Sequence, residues 1–166
     1  MDDVILKVNH LSKYFALVKA LDDVSFDVKR GEVHALCGEN GAGKSTFIKL
    51  LTGAHYPTKG TIEFEKVVYD RLTPKLALNL GIAVIYQEFS LIPYLTVAEN
   101  IFYGREIQNH GIRNVKEMNR QTEELCKDMG VNIDVTTRIN RLGVAQQQIV
   151  EILKAVSKNA KFLIMD

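Results

Sequence analysis

The sequence predicts an α/β protein: strands feeding helices across a glycine-rich turn, with a helical insertion before the last strand. Three observations predict it. An apolar run, Val33–Leu36, leads straight into "CGENGAGKSTF" (Cys37–Phe47), which opens a helical pattern. Strand and helix patterns then alternate as far as Tyr86, which argues for a mostly parallel sheet. From Gln87 to Ser157 the texture becomes helical, and "KFLIMD" closes the chain as an apolar strand ending in an acid.

In order, "VILKV" (Val4–Val8) and "VSFDV" (Val24–Val28) alternate as strands do. "RGE" (Arg30–Glu32) turns the chain into a third expected strand, "VHALC" (Val33–Cys37). "KSTFIKLLTG" carries Phe47, Ile48 and Leu51 on one face of a helix that Gly53 stops. "YPTKG" is a turn and "TIEF" a strand. "PKLALNLG" has Pro74 in its first turn and Gly81 at its end, so it is a short helix. "IAVIY" (Ile82–Tyr86) is continuous apolar sequence, the pattern of a strand buried on both faces. "TVAE" (Thr96–Glu99) is a capping box opening a helix through Phe102. Val115, Met118, Thr122, Leu125 and Met129 follow helical spacing, with Gly130 as the stop, and a last helix spans about Ala145 to Ser157.

Composition excludes several function classes. The chain has 166 residues, 46% of them hydrophobic and 25% charged, as in an ordinary globular domain. Twenty-one Lys and Arg against 20 Asp and Glu leave no basic excess to attract nucleic acid or an anionic membrane surface. No apolar run approaches the roughly 20 residues that span a bilayer. "MDDVILKV" carries two acids and no cationic stretch, so it does not read as a signal peptide. Cys37 and Cys126 lack metal spacing and read as reduced thiols.

"GENGAGKS" (Gly38–Ser45) matches G-x-x-x-x-G-K-[ST] between a predicted strand and a predicted helix. Gly38, Gly41 and Gly43 permit turns that a Cβ blocks, so successive N–H groups of Glu39, Asn40, Gly41, Ala42 and Gly43 can converge on an anion. The helix N-terminus at Lys44, Ser45 and Thr46 adds its positive end. Lys44 is expected to neutralise β- and γ-phosphates, and the Ser45 hydroxyl to ligate Mg²⁺. The loop is therefore expected to hold a nucleoside triphosphate.

"GENGAGKST", "YQEFSLIPYLTVAENIFYGRE" (Tyr86–Glu106) and "RLGVAQQQIVEILKAVSKNAKFLIMD" (Arg141–Asp166) resemble the nucleotide-binding domain of an ATP-binding-cassette (ABC) transporter. The resemblance runs back to "LSKYFALVKALDDVSFDVKRGEVHAL" and is greatest to ATPase subunits of bacterial monosaccharide importers of ribose, galactose, xylose or allose type. It implies an α/β P-loop NTPase core with an N-terminal antiparallel β subdomain and an inserted α-helical subdomain, C-terminally truncated. The expected divisions are residues 1–86 for the β subdomain and P-loop core, 87–157 for the mainly helical subdomain, and 158–166 for the Walker B strand. Phe15 holds the position that stacks on adenine in the family; as an aromatic beyond the first strand it equally suits a core or edge contact. Gln87, at the carboxyl end of "IAVIY", is the family's Mg²⁺- or water-positioning glutamine; alone, it is an exposed loop amide. Asp166, after four apolar residues, matches the Walker B acid that supports Mg²⁺; a solvent-facing acid is the plain alternative.

The family's signature, Leu-Ser-Gly-Gly-Gln, aligns with Leu142, Gly143, Val144, Ala145 and Gln146. Gly143 replaces the serine whose hydroxyl reaches the γ-phosphate held by the opposite cassette, which implies a weakened trans half-site. The family's general-base Glu follows the Walker B Asp, and its switch His comes later still. His10, His34, His55 and His110 all precede Asp166. The chain is therefore expected to bind Mg-ATP with little or no turnover. A later family strand inserts between the loop strand and the Walker B strand, so an unpaired edge is expected there. The resemblance implies an ATPase peripheral to the cytoplasmic face of the membrane, partnered by transmembrane subunits, a second cassette and, indirectly, a solute-binding protein. Other solutes (a nucleoside or a signalling furanone), a soluble repair or translation ATPase, and an ATP-binding remnant without turnover are the competing readings.

Overall fold

The structure, a computed structural model, describes residues 3–166. The chain divides into two compact units. The first comprises the described residues up to Val84 together with Lys161–Ile164 and Asp166; the second comprises Ile85–Ala160 with Met165.

The first unit is built on an antiparallel sheet of β1 (Val4–Phe15), β2 (Val18–Lys29), β3 (Lys59–Phe64) and β4 (Val67–Tyr69), in the order β2-β1-β3-β4. β1 and β2 extend well beyond the short runs that alternation marks. The register of β1 shifts between Val8 and Leu11, where His10 takes a left-handed φ of 49°. That bulge resets the phase of the strand, so Leu6, Val8 and Leu11 are all buried despite their uneven spacing. β3 and β4 join through Glu65 and Lys66, both at positive φ, as a two-residue hairpin requires. Gly60 approaches β1 so closely that a Cβ would lie 2.3 Å from the His10 carbonyl oxygen.

α1 (Lys44–Leu51) buries Phe47, Ile48, Leu50 and Leu51 and ends through Gly53 at φ 73°. Phe47, Leu50 and Leu51 join Leu6, Leu11, Ile62 and Phe64 in one core. α2 (Pro74–Leu80) is capped by the Thr73 hydroxyl, which accepts from the Leu76 amide, and stops at Gly81 in the left-handed region. β5 (Ile82–Ile85) then pairs with β8 (Phe162–Met165).

Two expectations are corrected here. Val33–Cys37 forms no strand; residues 31–40 are all exposed, and Val33 is 95% so. An apolar run becomes a strand only where a neighbour completes its ladder, and no described segment pairs with this one. β5, expected to be buried on both faces, is half-buried beyond Ile82 because β8 is its only sheet partner among the described residues. The four-stranded sheet is the antiparallel β subdomain that the resemblance implies.

The second unit packs α3 (Val97–Ile101), α4 (Val115–Asp128) and α5 (Val144–Val156) around Val97, Ala98, Ile101, Met118, Cys126, Val150 and Leu153. A short hairpin, β6 (Gln108–Asn109) and β7 (Ile112–Arg113), precedes α4. Its turn residues, His110 and Gly111, both have positive φ. The Thr96–Glu99 capping box is formed reciprocally, at 3.2 and 2.9 Å. No helix among the described residues is long and apolar enough to cross a membrane.

At the centre of this unit Asn100 is fully buried. Its Oδ1 accepts from the Ile92 amide at 2.7 Å, and its Nδ2 faces the carbonyls of Ile92, Leu95 and Thr96 at 3.1, 3.4 and 3.0 Å. One side chain thereby satisfies the backbone of the loop that leads into α3. Asn100→Leu keeps the branched heavy-atom shape but strands the Ile92 amide, whose acceptor is Asn100 Oδ1. It is expected to destabilise the protein by about 2–4 kcal/mol, read as a lowered urea midpoint for the helical unit; an unchanged midpoint refutes the role.

Candidate functional site

The glycine loop lies between the exposed Val33–Cys37 segment and α1. Gly43 is the N-cap of α1 at φ 92°, ψ 1°. A Cβ there would sit 2.3 Å from the Ala20 carbonyl oxygen and 2.9 Å from Leu21 Cδ2, so no side chain fits. Gly41 needs its freedom for a different reason: its φ is 87°, although the space around it is open. The Ala42 amide donates to the Glu39 carbonyl at 3.1 Å, closing a turn inside the loop. The first helical bond, from the Phe47 amide to the Gly43 carbonyl, is 2.8 Å long.

No side chain caps α1, and its first turn carries no acid. The N–H donors at the start of the helix are therefore left for an external acceptor. The Lys44 ammonium folds over the loop and donates to the carbonyls of Gly38 at 2.7 Å and Glu39 at 2.9 Å. Donors of the helix terminus and a cation held over the same loop make a site for a polyanion. Ser45 is exposed and Thr46 half-buried beside it; Glu39 and Asn40 point their positions to solvent on the rim.

Two more expected residues belong to the same unit. Phe15 ends β1 and is 41% exposed. The His55 ring meets it edge-on at 5.3 Å, and the Lys13 ammonium lies 4.9 Å from its centroid. It is thus a surface aromatic rather than a core residue. Asp166 follows β8 directly and is exposed.

The remaining expected residues lie in the second unit. Gln87 sits in an exposed bend just after β5. Leu142 ends a 3-10 turn, and Gly143 is the N-cap of α5. The Gly143 amide donates to Gln146 Oε1 at 3.2 Å. The Gln147 side chain secures the approach to the helix by donating to the Leu142 carbonyl at 2.9 Å and the Ile139 carbonyl at 3.3 Å. Val144 and Ala145 are exposed at the helix start. Gly143 has φ −66°, and a Cβ there would meet nothing within 4 Å. Its backbone does not require glycine, so the missing hydroxyl is a chemical difference and not a conformational one.

The structure thus gathers Gly38–Thr46 into one loop and helix start, and places Leu142–Gln146 at the head of another helix. Sequence reasoning did not find Ala20, whose carbonyl excludes a side chain at Gly43; nothing in the sequence signals that contact. It also passed over Glu151, a carboxylate only 7% exposed. The available signal was an acid inside the apolar run "IVEILKAV".

Comparison with known proteins places this geometry in a family. Residues 21–166 match the family model described as ABC transporter. The ribose import ATP-binding protein RbsA of Hahella chejuensis is 47% identical over 163 residues, covering 98% of this chain and 32% of that protein. The L-arabinose transport ATP-binding protein AraG of Geobacillus stearothermophilus is 48% identical over 168 residues, covering the whole of this chain and 33% of its own length. The galactofuranose transporter ATP-binding protein YtfR of Escherichia coli K12 is 47% identical over 162 residues, 98% of this chain and 32% of that one. The chain spans about a third of the length of these relatives. Among solved structures, a nucleotide-free ATP-binding cassette from an ABC transporter superposes with a TM-score of 0.82 at 28% identity, covering 98% of this chain and 68% of that one. An ATP-binding cassette of an ABC transporter in its ADP conformation gives 0.81 at 27%, over 96% and 67%. By the match over most of its length and by its fold, the chain belongs to the ABC transporter family.

Proposed function

We propose that the chain is the ATP-binding cassette of a subunit that hydrolyses ATP to energise a membrane importer, with a monosaccharide as the solute. The observation that carries the nucleotide reading is the uncapped start of α1 beneath the Lys44 ammonium. The solute reading rests on the relatives, which are a ribose import, an L-arabinose transport and a galactofuranose transporter ATP-binding protein.

In this reading the amides of Gly38–Thr46 bind the phosphates, and Lys44 exchanges its two carbonyl partners for phosphate oxygens. The exposed face of Phe15 receives the base. Ser45, Gln87 and Asp166 are oxygen donors of the kind that suits a hard divalent cation, and Ser45 and Asp166 carry no internal hydrogen bond among the described residues. Bound there, Mg²⁺ would neutralise charge on the phosphates. Gln87, whose side chain makes no hydrogen bond among the described residues, orients water. Residues 1–86 and 158–166 form the nucleotide-binding part and 87–157 the helical part, which offers Leu142–Gln146 to nucleotide on a second cassette. The partners are that second cassette, transmembrane subunits and, through them, a solute-binding protein. The place of action is the cytoplasmic face of the membrane.

Lys44→Ala is expected to weaken Mg-ATP binding roughly 10- to 100-fold, the range of a charge-assisted hydrogen bond, with unchanged circular dichroism. Wild-type affinity in calorimetry refutes the nucleotide reading. Phe15→Ala is expected to weaken ATP by a similar factor, from loss of base stacking, and to leave inorganic triphosphate affinity unaltered; equal losses for both ligands refute a base contact. Gly143→Ser, which the open space admits, is expected to raise ATP turnover that depends on cassette pairing when measured in a polypeptide that also carries the family's general-base Glu. Turnover that stays the same shows that the hydroxyl is dispensable here.

A further inference from the structure

The segment after Gln87 is held by α5 through a single serine. The Ser90 amide donates to Glu151 Oε1 at 2.5 Å, and the Ser90 hydroxyl to Glu151 Oε2 at 3.1 Å. One turn further along, the Lys154 ammonium donates to the Ser90 carbonyl at 3.1 Å and to its hydroxyl oxygen at 3.2 Å. Every polar atom of Ser90 is therefore taken by α5. The carboxylate is buried at 7% exposure, so its acceptors are withdrawn from water, and removing it leaves the Ser90 amide without a protein partner. Leu91, next in the chain, packs in the same apolar cluster as Val150 and Leu153 of α5.

The same stripe of α5 holds a second segment. Gln147, Glu151 and Lys154 follow one another at spacings of four and three residues, so they share a helix face. Gln147 grips the carbonyls of Ile139 and Leu142 at the entrance to α5, while Glu151 and Lys154 grip Ser90. Glu88 and Phe89, between Gln87 and Ser90, are exposed, and their side chains make no hydrogen bond to α5 among the described residues. One helix face thus fastens the Leu142–Gln146 segment at one end and the Gln87 segment at the other, all within the second unit.

We propose that Glu151 is a positioning residue that locks the Gln87 segment to α5, so that a displacement of Gln87 on nucleotide binding is delivered to Leu142–Gln146. This rests on the nucleotide reading above. Glu151 is bonded to Ser90 and acts through it. The consequence is a separation of effects: loss of Glu151 spares ATP affinity and breaks communication between the two segments.

Residue-resolved hydrogen exchange on the full chain, with and without Mg-ATP, tests this in wild type, Glu151→Ala and Glu151→Gln. Without nucleotide, Glu151→Ala is expected to speed exchange of the Ser90 amide at least about tenfold. Glu151→Gln, which keeps an acceptor oxygen, is expected to restore most of the protection. The amides of Ile101 and Thr122 should exchange as in wild type, which separates a local release from general loosening. With Mg-ATP, wild type is expected to show altered exchange at residues 143–147, and Glu151→Ala to lose that response while its Kd stays within about twofold. Unchanged Ser90 exchange in Glu151→Ala overturns the clasp, whatever the nucleotide does. A response at 143–147 that is absent from nucleotide-bound wild type, or that persists in Glu151→Ala, overturns the communication. Failure of wild type to bind Mg-ATP refutes the nucleotide reading and the communication with it, while Ser90 exchange still decides on the clasp.

Discussion

The contact between Gly43 and the Ala20 carbonyl sets the conditions for the rest of the first unit. With φ 92° and no room for a Cβ, this residue can only be glycine, and the chain can begin α1 only at the next position. Starting there puts Phe47, Ile48, Leu50 and Leu51 inside. The core that packs the helix on the antiparallel sheet and the loop that faces a ligand thus follow from one backbone approach. The same glycine supplies no side-chain acceptor to the helix N-terminus, so the donors remain for a ligand. Fold and site are not separable at this position: a residue that capped α1 well would also fill the site.

The second unit solves its loop problem by another route. Here a buried amide, Asn100, accepts from the Ile92 amide and donates to the carbonyls of Ile92, Leu95 and Thr96, while a buried carboxylate, Glu151, accepts from the Ser90 amide and hydroxyl. Loops usually meet their hydrogen-bond needs in water. This one has them met by two helices, so its path is dictated by α3 and α5 as much as by its own sequence. Gln87, outside both grips, keeps its freedom while standing close to a fixed point.

What was legible in the sequence was local. Thr96 and Glu99 announce α3, Pro74 and Gly81 bracket α2, and Gly130 marks the end of α4, because caps depend on residues within one turn of each other. The loop Gly38–Ser45 was legible for the same reason. The misread elements depend on partners far away in the chain. Val33–Cys37 has the composition of a strand, but pairing decides, and composition says nothing about whether a neighbour is there. The Glu65–Lys66 hairpin was missed because neither residue is one that the left-handed region normally selects. Glu151 was invisible because its partner, Ser90, is 61 residues away. The expected site residues rest on motif and resemblance; how Phe15 meets Lys13 and His55, and that Gly143 has room for a side chain, only coordinates reveal.

The folded-over Lys44 has a thermodynamic meaning. Two of its three ammonium N–H donors are already engaged by carbonyl oxygens. Ligand entry is therefore an exchange reaction, and only the difference between the old and the new partners contributes to affinity. A singly charged anion offers little over two carbonyls and gains little by displacing them. A chain of phosphates, with more oxygens and more charge, gains much more. The lysine is in this sense an internal competitor for the loop, and under the proposed function such a competitor favours a polyphosphate over a singly charged anion.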